Sequence, residues 1–114
     1  MSYQSDIEIE KVVRGFESCE TGKDQFKHRD HLTVAVWYVE KLGREAALDQ
    51  MRASLLRFLD HHGVDKKKYS EKVTVYWIGK VAERLSELGA GVSLVEKCNS
   101  IVNAKDFLKT DFRG

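Results

Sequence analysis

Apolar residues recur along this chain at the three- and four-residue spacing of helix faces, and that pattern divides it into segments. Ile9, Val12, Val13 and Phe16 form one stripe. Leu48, Met51, Leu55, Phe58, Leu59 and His62 form a second, followed by Gly63. Trp77, Ile78, Val81, Ala82, Leu85 and Leu88 form a third, preceded by Val73 and Thr74 and closed by Gly89-Ala90-Gly91. Spacing of this kind places apolar side chains on one face of a helix. A fourth segment, Leu32 to Val39, is apolar almost without interruption and rich in β-branched and aromatic residues. Such a run suits a buried strand as well as a buried helix. No partner strand of similar clarity lies nearby, so a helix buried on most sides is expected.

The punctuation agrees with the stripes. Ser5 with Glu8 reads as a capping box for the first helix. The second helix starts between Phe26 and Asp30 and ends at Leu42, with Gly43 as its stop. Ser70 caps a helix that carries Glu71 in its first turn. A short helix follows from Val92 to about Val102. Proline, which breaks helix interiors, is absent. The expected fold is all-α, a single antiparallel bundle of four to five helices spanning 1–114, with 103–114 as a docking or flexible tail that carries Phe107, Leu108 and Phe112.

Composition narrows the function classes. The chain has 114 residues, 42% hydrophobic and 32% charged, enough for one domain with one core. Lys plus Arg is 19 and Asp plus Glu is 18, a formal charge of +1. That balance argues against a dedicated nucleic-acid binder. Lys66-Lys67-Lys68 is the only run of like charge and reads as a solvated loop. The longest apolar run is far short of a membrane span, no secretory signal is visible, and Cys19 and Cys98 have no metal-type spacing. A cytoplasmic protein with reduced, inert thiols is expected. Trp37 and Trp77 read as core anchors.

The candidate chemistry lies in Phe26-Lys27-His28-Arg29-Asp30-His31-Leu32. Two of the four histidines sit three residues apart where the chain enters its most apolar segment. If short connections make consecutive helices antiparallel, the end of the third helix lies beside the starts of the second and fourth. One end of the bundle then gathers His28, His31, His61, His62, Tyr69 and Glu71. A ligand site of His28, His31, Tyr69, Glu71 and Thr74 is expected there, for a small polar or anionic molecule assisted by Arg29 and Lys66 to Lys68. Histidine paired with a carboxylate also suits proton transfer, so whether binding is accompanied by catalysis stays open. A second reading is a divalent metal site, His28, His31 and Glu71 with His61 or His62, of a kind zinc, nickel or iron would accept. A third is a structural or interaction module without a site, paired as a homodimer through the apolar tail. In that case the histidines cap helix ends or hydrogen-bond within the core.

Phe26-x-His28-x-x-His31-Leu32, the Ala35–Tyr38 helix, Gly43 before an amphipathic helix, and Tyr69-x-Glu71-x-Val73-Thr74 before Trp77 together resemble a family of small, uncharacterised bacterial proteins. Its motifs read F/W-x-H-x-x-H-L and Y-H-E-T-I-T. The resemblance covers about Ile7 to Leu88. It implies an all-α fold and a polar site shared by the two motifs. This chain departs from the second motif, with Ser70 at its histidine position and Lys72 at its first threonine, and the family's members usually extend further.

Overall fold

The structure is a computed structural model that describes residues 2–108. The described residues form five helices of more than two turns: α1 (Asp6–Glu17), α2 (His28–Leu42), α3 (Arg44–His61), α4 (Glu71–Leu88) and α5 (Leu94–Val102). A one-turn helix, α6 (Lys105–Leu108), follows, and a single 3-10 turn spans Lys66–Lys68. No strand occurs among the described residues. The protein is an all-α bundle.

The Leu32–Val39 segment resolves as helix, and its burial accounts for its composition. Leu32, Thr33, Val34, Ala35, Val36 and Tyr38 are all buried, on every side rather than one. α2 is the central helix, packed by α1, α3, α4 and α5. Its β-branched residues cost a little helix propensity. The burial of each large apolar side chain returns about 1.5–3 kcal/mol, which outweighs that cost.

The capping residues act as their chemistry suggests. The Ser5, Ser70 and Ser93 hydroxyls each accept from a backbone N–H in the first turn of their helix. Glu8 reaches back to the Gln4 N–H, one residue before the Ser5 cap. α3 ends in a paired closure, with Gly63 N–H donating to Asp60 O and Val64 N–H to Leu59 O. Gly43 ends α2 and starts α3 with φ 86° and ψ 166°, a backbone region open essentially to glycine alone.

Direction within the bundle follows from which residues meet. The first half of α2, the second half of α3 and the first half of α4 share one cavity. The end of α2, the start of α3 and the end of α4 meet at the opposite pole, around Val39, Arg44 and Leu85. α3 therefore runs antiparallel to both α2 and α4. α1 departs from the plain up-and-down rule. Tyr3, just before it, bonds Thr33, and Glu17, at its end, bonds Tyr38, so α1 crosses α2 obliquely. The long connection 18–27 frees it from the constraint that a short loop imposes.

The tail is partly a core element. Phe107 is fully buried, with Lys80 and Arg84 4.8 and 4.9 Å from its ring. Arg84 also pairs with Asp106 at 2.6 Å. The expectations for the Leu108 side chain and for Phe112 lie outside the described residues. No described helix is long and apolar enough to cross a membrane.

Candidate functional site

At one pole α2, α3 and α4 diverge around a cavity of ≈ 610 Å³. Its position follows from where the helices begin and end. α2 and α4 start there, α3 finishes there, and the connections 18–27 and 62–70 close the sides. Leu32 and Ala35 line it from α2, Met51, Leu55, Phe58 and Leu59 from α3, and Val73, Trp77 and Ile78 from α4. The polar lining comes from His28, His31, Tyr69, Ser70 and Thr74. Lys23, Asp24 and Lys68, all exposed, stand at the rim. The walls are mostly hydrocarbon with the polar groups gathered to one side, as is usual for small-molecule sites.

His31 faces the cavity from the first turn of α2. Its ring packs against Phe26 at 4.4 Å and makes no hydrogen bond to a described residue. Burial, and secondarily the neighbouring His28, lowers its pKa from 6.5 to about 4. At neutral pH it is an uncharged imidazole. His28 is tied: its Nε2 lies 2.7 Å from the Phe107 carbonyl oxygen, and its ring meets the Trp77 edge at 4.8 Å. A carbonyl oxygen can only accept, so Nε2 carries the hydrogen.

Tyr69 enters the lining from the end of the 3-10 turn. Its hydroxyl donates to Glu71 Oε1 at 2.7 Å. The Thr74 hydroxyl donates to the Ser70 carbonyl at 2.9 Å. The Ser70 hydroxyl, the α4 cap, accepts from Val73 N–H.

The structure gathers four of the five expected ligand-site residues, His28, His31, Tyr69 and Thr74. Glu71 does not line the cavity. It is exposed and held by Arg52, whose Nε lies 2.8 Å from Oε1. The Arg52 guanidinium, and then the Tyr69 hydroxyl, hold its carboxyl well below the usual carboxylate range. Glu71 thus acts on the cavity only through Tyr69. Arg29, expected to assist an anion, instead stacks over the Tyr3 ring at 4.7 Å. Of the lysine run, only Lys68 reaches the rim.

His61 and His62 reach the same pole but stand behind the wall. His62 packs on Phe58 at 4.5 Å and on His61 at 4.9 Å. Its Nε2 is buried without a hydrogen-bond partner among the described residues. The expected metal shell of His28, His31, Glu71 and His62 is therefore not assembled. No three described His, Cys, Asp or Glu side chains converge as a metal ion requires. Glu71 is drawn to α3 by Arg52, and Phe58 stands between His62 and the cavity.

Sequence reasoning missed two kinds of contributor. Trp77, expected as a core anchor, is a cavity wall, and so are Met51, Leu55 and Val73; apolar spacing does not distinguish a wall from a core. The Phe107 carbonyl is a backbone group and carries no residue-type signal. Cys19 and Cys98 are free and buried, and burial pushes the Cys98 thiol up to about 11.

No protein-family model matches the chain, and no curated protein or solved structure shows significant similarity to it.

Proposed function

We propose that this protein binds a small, largely apolar molecule bearing one polar group, with the apolar body between α2, α3 and α4 and the polar group against His31. The observation that carries this reading is a cavity of ≈ 610 Å³ walled mostly by hydrocarbon, with the uncharged His31 imidazole in its lining and no hydrogen bond from that ring to a described residue. A fold that needed only stability would close such a space, because each unfilled volume loses packing energy. The His31 ring nitrogens remain open to the cavity, where a ligand's polar group can meet them. The family resemblance supports the same placement, since the lining draws on both of its motif segments.

Trp77 in the wall supplies the measurement. In a Trp37→Phe background it is the single tryptophan, two being present in the chain. Titration with the neutral dye N-phenyl-1-naphthylamine should quench its fluorescence saturably, at one dye per chain. Ala35→Phe and Val73→Phe each project a ring into the space and should abolish binding with helix content preserved. Absence of saturable binding, or unchanged binding in both folded variants, overturns the reading.

A further inference from the structure

The hydrogen-bonding protons of the polar wall are already committed elsewhere, and that fixes the kind of head group the cavity can take. The His28 Nε2 proton is given to the Phe107 carbonyl. The Tyr69 hydroxyl proton is given to Glu71, which is itself locked by Arg52. The Thr74 hydroxyl proton is given to the Ser70 carbonyl. What the two hydroxyls retain is lone pairs, on Oη of Tyr69 and Oγ1 of Thr74, which also lie within reach of each other. His31, uncharged, offers one donor and one acceptor. Besides His31, the Ser70 hydroxyl keeps a proton that no described group takes up, since it is seen solely as an acceptor from Val73. The hydroxyls of Tyr69 and Thr74 thus face the cavity as acceptors, and the cations among its lining residues, Lys23 and Lys68, are exposed at the rim.

From this arrangement, and resting on the cavity-binding reading above, we infer that the ligand is an uncharged hydrogen-bond donor: an apolar body carrying a hydroxyl or an amide N–H. A carboxylate or phosphate seated there would set its oxygens against two hydroxyls whose protons are already given away. It would also lose its hydration in a space lined by hydrocarbon. An ether or ester of the same size would fit the walls and leave the acceptors without a partner. A hydroxyl satisfies one or two of them and still accepts from Ser70 or His31.

The three chemistries separate on one carbon skeleton. Titrations of the full chain at pH 7.5 with 1-octanol, octanoate and octyl methyl ether, read by calorimetry, compare a donor, an anion and a pure acceptor. 1-Octanol should bind about tenfold or more tightly than either of the others, the factor that corresponds to one hydrogen bond gained in a dry site. Octanoate or the ether binding as tightly as the alcohol overturns the head-group inference and leaves the cavity reading standing. No saturable binding by any of the three overturns the cavity reading, and this inference with it. Thr74→Val nearly keeps the side-chain shape and removes one acceptor. It should narrow the alcohol-to-ether ratio severalfold, and an unchanged ratio would remove Thr74 from the proposed wall.

Discussion

Two buried polar clusters lie along α2, about two turns apart on the same side of the helix, and they differ in completeness. Around Tyr38 every group is paired. Its hydroxyl donates to Glu17 at 2.7 Å and lies 3.1 Å from Ser54 Oγ, which in turn accepts from Gln50 at 2.9 Å. Three helices are tied through one phenol. Around His31 the imidazole is half-buried and bonds to no described group, and a cavity takes the place of a partner. Satisfied networks in a core hold helices in register. An open one beside a void has no such task, and on the proposed function the contrast separates a ligand end at His31 from a fastening at Tyr38.

The largest test of that contrast is pH. Folding favours the neutral His31 imidazole, whereas the unfolded chain takes up a proton near the ordinary value of 6.5. Between pH 6.5 and about 4 the unfolded state therefore binds more protons. Stability should fall as pH drops through this window and level off below it as far as His31 is concerned. The loss is about 3 kcal/mol, at about 1.4 kcal/mol for each tenfold displacement. Urea denaturation of the native chain and of His31→Leu at pH 7.5 and pH 4 isolates the effect. The variant should lack this part of the acid loss and should be at least as stable at pH 7.5. A His31→Leu protein that is severely destabilised at pH 7.5 would make His31 a fastening like Tyr38.

The converse substitution comes next in size. Tyr38→Phe leaves the buried Ser54 hydroxyl and the Glu17 carboxylate short of a partner and should cost about 1–3 kcal/mol, with dye binding at the cavity unchanged. A variant of native stability would show that the network does not fasten the helices. The smallest effect is expected at Glu71→Gln. Its pair with Arg52 is exposed, and exposed pairs contribute little, so the thermal midpoint should hold. Tyr69, deprived of a carboxylate acceptor, is freer to donate into the cavity, so the preference for a donor ligand over octanoate should weaken. An unchanged preference would detach the Arg52–Glu71–Tyr69 chain from the cavity.

How much of this was legible in the sequence depends on whether the deciding interaction is local. Ser5, Ser70, Gly43, Gly63 and Gly89 mark helix ends because a cap or a positive φ acts within one turn. The antiparallel arrangement of α2, α3 and α4 followed from their connections, and it sufficed to bring His28, His31, Tyr69 and Thr74 together. The exceptions are decided by distant partners. Glu71 is drawn to Arg52, and no spacing rule couples two residues nineteen positions apart. Arg29 is drawn to the Tyr3 ring. The oblique path of α1 depends on Tyr3 and Glu17 finding Thr33 and Tyr38. That His62 stands behind Phe58 rather than in the cavity depends on the packing of side chains on one helical face, which periodicity leaves open. Ser54 could have been noticed, because it shares the buried face of α3 with Ala47, Met51 and Phe58.

The single-residue joint at Gly43 also governs how the molecule assembles and breathes. α2 and α3 are linked with no loop, so their contacts close almost without chain entropy, and a pairing this local is expected to form early in folding. The same joint makes the two helices a pair of arms hinged at one pole. The cavity lies at the other, where a small angular fluctuation at Gly43 gives the greatest separation of the tips. A molecule too large for the rim between Lys23 and Lys68 would gain access by that scissoring rather than by the unfolding of any helix. A substitution that stiffened the hinge would be felt first as slower exchange at a site the full length of a helix away.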